Sequence, residues 1–387
     1  MKKIVILLLV ALGFSATAQD RMPLSDNAFA SVIICGPGDE FYTTFGHAAI
    51  RICDPNRGFD SVYNYGTFDF DTKNFYLKFA MGRLDYCLSR SQTDNYLYIY
   101  QLENRAVWEQ RLELTNQEVN NLYTALNWNY QPENRYYRYD FFRDNCATRV
   151  RDMVNSTLAH RTLFVDRQFD SALTYRQLIY PMMDQKLEWW RFGCDLLLGA
   201  KCDKPCSTYE YMFLPKEILV QLDTTRVSNT QRPLTSGRRM ILADHRAEMS
   251  NSFSPVVLFW IVFAIILCAT VAGWQWKWRL QWIDAILFGL AGLMALFLMV
   301  MWFASAHYCT KLNFNLLWAS PLFIYLAIAL SRSNRVVVII QTIITLLAIV
   351  VTLVGWPQHI NIAVLPIELA LLLRLTYMLL NSAPSKR

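Results

Sequence analysis

The sequence predicts an α+β domain in an aqueous compartment followed by an all-α transmembrane bundle of about five helices. Three observations carry this. The 387 residues change composition near Ser254, polar and aromatic-rich before it and almost continuously apolar beyond it. In the polar part, short strand-like runs precede two amphipathic stretches that carry helix-start signals. In the apolar part, the cationic residues concentrate in alternate connections.

The chain opens as a signal peptide does, with Lys2 and Lys3, an apolar run over residues 4–14 and the small triplet Ala16-Thr17-Ala18. That run is too short to cross a bilayer as a mature helix. No Cys follows the expected cleavage, so the mature chain is not expected to be a lipoprotein itself. The domain reading is residues 1–18 signal peptide, 19–160 catalytic core, 161–250 connecting subdomain and 251–387 transmembrane domain.

Within the core, residues 31–35 read as a strand and Gly36-Pro37-Gly38-Asp39 as a turn. Residues 47–52 alternate and end at the turn Asp54-Pro55-Asn56-Arg57-Gly58. Residues 60–70 and 96–102 are aromatic and strand-like. Thr115 and Glu118 have capping-box spacing, and Val119, Leu122, Tyr123 and Leu126 follow on one helix face. A second helix starts at Cys146: Asn145 suits an N-cap, and Val150, Met153, Val154 and Leu158 recur at helical spacing.

The apolar half reads as spans over residues 255–271, 283–304, 315–330, 336–354 and 360–380, the third being the shortest. Lys277 and Arg279 follow the first span, Arg332 and Arg335 the third, Lys386 and Arg387 the last, while the other two loops hold only Lys311. The positive-inside rule makes those cationic connections and the C-terminus cytoplasmic. The first span then enters from outside, in agreement with a translocated N-terminal domain. The net charge of +6 is partly these topogenic residues and requires no nucleic acid. Among nine cysteines, Cys194, Cys202 and Cys206 cluster; a disulfide there suits an oxidising compartment. A zinc site is the rival, without a nearby His or a zinc-ribbon spacing. No phosphate-binding Gly-rich loop and no His-x-x-x-His pair are present, so no cofactor or metal is expected.

The chemistry concentrates at Cys146. At a helix start, free backbone N–H groups and the positive dipole end favour thiolate over thiol. His47, at the head of a strand, is the candidate base. A base before the nucleophile, with the Cys opening a helix, is the layout of circularly permuted papain-like (NlpC-like) enzymes. A buried structural Cys is the plain alternative; the adjacent cap, the helix start and the His weigh against it. Asn64, on the following strand-like segment, is expected to orient His47, with Glu40 as competitor and an ordinary strand-edge Asn as the alternative. The Cys146 N–H is the expected oxyanion donor. Arg143, Arg149 and Arg151 surround the nucleophile and suit a phosphate clamp, though solvated arginines are common near helix starts. His307, Asn313 and Asn315 gather at an outer loop as candidates for lipid headgroup contact, a role an interfacial polar loop does not require. His160, His245 and His359 have no local partners in sequence.

The stretches Gly38-Asp-Glu-Phe-Tyr-Thr-Thr-Phe-Gly-His-Ala-Ala-Ile-Arg51, Val62-Tyr-Asn-Tyr-Gly-Thr-Phe-Asp-Phe70 and Tyr139-Asp-Phe-Phe-Arg-Asp-Asn-Cys-Ala-Thr-Arg149 resemble the Lnb-type lipoprotein N-acyltransferases. The soluble match runs over about residues 24–160, and the membrane half is similar in kind. The resemblance implies a permuted papain-like periplasmic domain on an inner-membrane bundle, with His47 and Cys146 as catalytic pair. It implies transfer of an acyl chain from a phospholipid donor to the α-amino group of a diacylated lipoprotein acceptor. Two rivals stay open: a cell-wall amidase or peptidase of NlpC type, and a non-catalytic membrane protein whose outer domain binds a ligand.

Overall fold

Residues 29–35 are buried at nearly every position, a pattern a strand shows when both faces of its sheet are covered. In the computed structural model, which describes residues 22–69, 71–164, 172–183, 187–246, 253–278, 280–330 and 334–381, this segment is the strand β1. The expected signal peptide lies outside the described residues. The strands are β1 (Phe29–Cys35), β2 (His47–Asp54), β3 (Phe59–Thr67), β4 (Asp85–Gln92), β5 (Val107–Leu112), β6 (Tyr136–Arg138), β7 (Thr162–Leu163), β8 (Arg226–Val227) and β9 (Thr235–Leu242). Seven of them form one antiparallel sheet in the order β6-β4-β3-β2-β1-β5-β9, and β7 pairs with β8.

The two sheet faces have different covers. On one, Val32, Ile34, Ala48, Ile50 and Ile52 pack with Leu122 and Leu126 of the helix Asn116–Tyr130 and with Val150 and Val154 of the helix Cys146–Thr157. On the other, Ile33, Cys35, Ala49 and Val62 meet Tyr96 and Tyr100. Those two tyrosines belong to the helix Thr93–Leu102, so the strand expected over residues 96–102 is replaced by a helix. Thr93, Tyr96 and Tyr100 are its buried residues, a spacing of three and four that aromatic β-propensity obscured.

The chain divides into two compact units, Met1–Phe75, Leu84–Asp170 and Ser207–Ala247 in one, and Tyr76–Arg83, Ser171–Cys206 and Glu248–Arg387 in the other. The stretch 161–250, read from sequence as one connecting subdomain, is therefore shared between them. Its later part joins the first unit because Met212, Ile218, Leu219, Leu222, Val227 and Leu234 enter the same core as the sheet. There β9 also adds an edge strand next to β5.

Among the described residues, the second unit holds four helices long and apolar enough to cross a membrane: Pro255–Trp276, Gln281–Ala304, Arg335–Val354 and Ile362–Asn381. The stretch expected as a third span contains only the seven-residue helix Leu322–Ile328, behind Pro321 and a short 3-10 turn at Phe314–Leu316. Polar side chains tie the helices together. Buried Arg374 forms a bidentate pair with Asp284 (2.6 and 2.9 Å) and donates to Thr270 Oγ1 (2.9 Å). At the opposite end of the last helix, Thr352 Oγ1 donates to Glu368 Oε1 at 2.8 Å. Arg176, 1 % exposed, joins Asp195 and Asp203, and Asn361 Nδ2 reaches the same Asp195. Cys194, Cys202 and Cys206 stand as thiols, so the disulfide expected among them is not formed. The sulfhydryls of Cys202 and Cys206 instead face the carbonyls of Cys309 and Leu173.

Candidate active site

The thiol of Cys146 is set by the helix it opens. Asn145, in extended backbone conformation, accepts from Thr148 N–H through Oδ1 (2.8 Å), and Thr148 Oγ1 accepts from Asn145 N–H (2.8 Å). This closes a capping box. The Asn145 Nδ2 group donates to Phe141 O and to Phe213 O, each at 2.8 Å. The cap therefore also fastens the approach loop and a distant segment to the helix start, and fixes where Cys146 points. The Cys146 amide lies in the first helical turn, where N–H groups have no intrahelical acceptor.

His47 is the first residue of β2, behind Gly46. Gly46 has φ +77°, and a Cβ there would stand 2.6 Å from Cys35 O, so the turn feeding His47 into the strand admits only glycine. Phe45 meets Phe141 edge to face at 4.8 Å, joining the His47 turn to the Cys146 approach loop. The His47 ring makes two side-chain contacts. Nε2 lies 2.5 Å from Asn64 Oδ1, and the ring is also hydrogen-bonded to Cys146, which leaves Nδ1 for the thiol.

Electrostatics follow from this geometry. Burial opposes ionisation of Cys146, yet the His47 charge, the His47 hydrogen bond and the backbone N–H groups of Ala48 and Ala147 outweigh it, and the thiol sits below an ordinary one. Burial alone would depress His47, but the facing thiolate, its hydrogen bond and Asn64 hold the imidazole above its usual value. Each shift favours the charged form of its own group.

Asn64 sits on β3 just before an irregularity in the pairing with β4 that spans Asn64 to Thr67. Within it lies Gly66, at φ +100°, whose Cβ would meet His47 Cε1 at 3.4 Å and Cys146 Cβ at 3.5 Å. Gly66 lets the backbone run against both side chains; sequence reasoning quoted it within a motif and assigned it nothing. Sequence reasoning also passed over an aromatic wall of Tyr86, Tyr137 and Tyr139. Tyr86 and Tyr139 stack at 4.3 Å. Burial, then the nearby Cys146 charge, pushes all three hydroxyls up. Two of these residues sit on β4 and on the edge strand β6, neither of which sequence patterning identified.

The other expected site residues fall as follows. Glu40 is exposed, and Asn64 occupies the ring nitrogen it would have taken. Arg143 is exposed on the approach loop. Arg149 pairs in bidentate fashion with Asp144 and lies 4.1 Å over the Tyr137 ring, so its fork is engaged within the protein. Arg151 is held by Asp152 and Tyr209 O. His307 and Asn313 belong to the second unit. Asn313 is 1 % exposed: Nδ2 donates to Leu196 O, and Oδ1 accepts from Asn315 and Gln358. It is a structural knot. His307 Nε2 lies 3.1 Å from Phe79 O.

A β-rich domain with a hydrogen-bonded Cys–His pair, in one chain with strongly apolar helices, defines a multi-pass membrane protein. Two family models match it, the Lnb N-terminal periplasmic domain over residues 18–180 and the Lnb transmembrane domain over residues 247–386. The chain belongs to the Lnb family. No curated protein and no solved structure matches it.

Proposed function

We propose that this protein is an inner-membrane lipoprotein N-acyltransferase that carries the acyl group as a thioester on Cys146. The observation that carries the reading is the line Cys146–His47–Asn64, with Nε2 of His47 on the Asn64 amide oxygen at 2.5 Å and the thiol below its ordinary value. On this reading the soluble unit is a permuted papain-like fold, its base and orienting residue on successive strands and its nucleophile at a later helix start.

The thiolate attacks the ester carbonyl of a phospholipid held within about 3–3.5 Å, forming the carbon–sulfur bond. The oxyanion that develops is met by the Cys146 N–H. Collapse breaks the carbon–oxygen bond, and the imidazolium of His47 protonates the lysophospholipid alkoxide. The thioester then waits for the free α-amino group of a diacylated lipoprotein. Attack by that amine forms the amide bond, His47 takes the amine proton, and the thiolate leaves. Asn64 keeps the ring in the orientation both proton transfers need. Amide formation from a thioester is downhill, so no nucleotide is consumed. Arg143, exposed near the nucleophile, stays a candidate for the donor phosphate, whereas we assign Arg149 and Asn313 to structure.

The test compares lipoprotein from cells with the gene, without it, and with Cys146→Ser. A free N-terminus only in the null and the variant supports transfer. Unchanged lipoprotein with altered muropeptides points to a wall amidase, and no change in either to a binding module.

A further inference from the structure

Between β3, which carries Asn64, and β4, which carries Tyr86, the chain makes an excursion whose residues 76–83 belong to the second unit. It contains a helical turn, Phe75–Ala80, with an unusual surface. Tyr76 is 82 % exposed, Leu77 63 % and Phe79 41 %, and Ala80 is exposed beside them. At spacings of one, three and four these side chains share one helical face. From residue 72 to residue 84 the only charged side chains are Lys73, Lys78 and Arg83, all cationic.

Within the second unit the excursion is pinned to the end of the span Gln281–Ala304. Ala306 N–H donates to Met81 O at 2.8 Å, Arg83 Nη2 to Ala304 O at 3.2 Å, and His307 Nε2 lies 3.1 Å from Phe79 O. Gly82, at φ +63°, lies flat on His307; a Cβ there would stand 3.1–3.2 Å from the His307 amide and ring. The span itself ends in exposed Phe303, 68 %, stacked with Trp302. The exposed apolar side chains of the excursion thus belong to a segment hydrogen-bonded to that end of the span, where Phe303 is exposed too.

We propose that residues 73–83 form a non-spanning membrane contact, a helical turn seated at the headgroup–acyl boundary of the leaflet at that end of the bundle. Its partner is phospholipid, with Tyr76, Leu77 and Phe79 among the upper acyl carbons and Lys73 and Lys78 beside the phosphates. An apolar aromatic face with Lys73, Lys78 and Arg83 beside it, and acidic residues only beyond them at Asp71 and Asp85, has the composition of an interfacial helix. Lysine stems of this length keep their ammonium groups in the wet layer. His307 acts here as a positioning residue for the turn and not as a lipid ligand. The contact stands on surface and pinning alone; its use in delivering an acyl donor to Cys146 rests on the proposed transfer reaction.

The full chain is reconstituted in vesicles of phosphatidylethanolamine and phosphatidylglycerol doped with a phospholipid bearing a diazirine on the first acyl carbons. After illumination, adducts are mapped by peptide mass. Adducts within residues 76–80, at a yield similar to those on the Phe303 peptide, are expected. Adducts on the spans with none at 76–80 overturn the contact. The triple replacement Tyr76→Ser, Leu77→Ser and Phe79→Ser alters exposed positions only, and should reduce transfer while Cys146 still reacts with a soluble alkylating agent. Undiminished transfer by it overturns the delivery role. Labelling at 76–80 without transfer from any phospholipid keeps the contact and sinks the acyltransferase reading.

Discussion

Taking away His47 leaves Cys146 with burial, which raises its pKa, and with two backbone N–H groups, which lower it. The sign of the change follows: the thiol climbs in His47→Ala. Wild-type Cys146, depressed below an ordinary thiol, should reach its full alkylation rate with iodoacetamide at a lower pH than Cys146 in His47→Ala. In His47→Ala the rate should rise with pH into the alkaline range. Superimposable profiles would falsify the ion pair. Catalysis needs thiolate and imidazolium together, so activity should fall on the acid side as Cys146 takes up a proton and on the alkaline side as His47 loses one. The lowered thiol and raised imidazole both widen that window. Cys146→Ala and His47→Ala should each cost about three orders of magnitude or more in transfer, and the double variant no more than either. Asn64→Ala should cost roughly tenfold to hundredfold, at or below the low end for a group that moves the proton itself. A loss as deep as that of His47→Ala would mean that Asn64 does more than orient. That Cys146, His47 and Asn64 come together was legible in sequence because each sits at a signalled place: a cap, a strand head, a following strand. Gly66 and the tyrosine wall were not, since their nearness to the thiol comes from strand pairing that no local pattern encodes.

The helix that opens at Cys146 depends on one side chain for three separate attachments. Asn145→Ala deletes the cap, worth about 1–2 kcal/mol. It also strips Phe141 O and Phe213 O of this donor, and loss of the buried bond to Phe213 O adds about 1–3 kcal/mol. Asn145→Asp keeps the acceptor toward Thr148 and loses only the donors, so denaturant melts should rank wild type above Asp above Ala. Equal stability of the two variants would show that the Nδ2 bonds contribute nothing. The capping boxes at Thr115 and Asn145 are spelled out by neighbouring residues, and both helices begin where the sequence signals them. The helix Thr93–Leu102 was misread because its tyrosines favour strands and only their spacing favours a helix. β9 reaches β5 across more than a hundred residues, a pairing that local sequence does not announce.

At the scale of the molecule, hydropathy located the membrane half but not the form of each crossing. The shortest expected span, residues 315–330, fails as a continuous helix; Pro321 and the engaged amides of Asn313 and Asn315 interrupt it. Geometry within the second unit nevertheless argues that the chain crosses there. Thr270 late in the first long helix, Asp284 early in the second and Arg374 in the later half of the last meet in one cluster, so these positions share one end of the bundle. Thr352 and Glu368 join the close of the helix Arg335–Val354 to the start of the last one, so those two run antiparallel. The helices Gln281–Ala304 and Arg335–Val354 then run in the same direction, and the chain between them must come back. It does so from Phe314, whose N–H donates to Gln358 Oε1 at 2.7 Å at one end, to Tyr325, whose hydroxyl accepts from Asn334 N–H at 3.2 Å at the other. A fifth, partly unwound crossing is tolerable where its backbone is covered by protein, as the buried Asn315 and Ala319 indicate. Such a crossing would bring Lys277, Arg335 and Asn381 to one end and Lys311 to the other, the same division the cationic loops require. Trp274, Trp276 and Trp278 crowd the cationic end as an interfacial belt. Reporter fusions at Lys386 should therefore read cytoplasmic, and fusions at Lys311 periplasmic. A periplasmic report at Lys386 with Lys311 also periplasmic would mean four crossings, and residues 314–330 would then be a re-entrant loop.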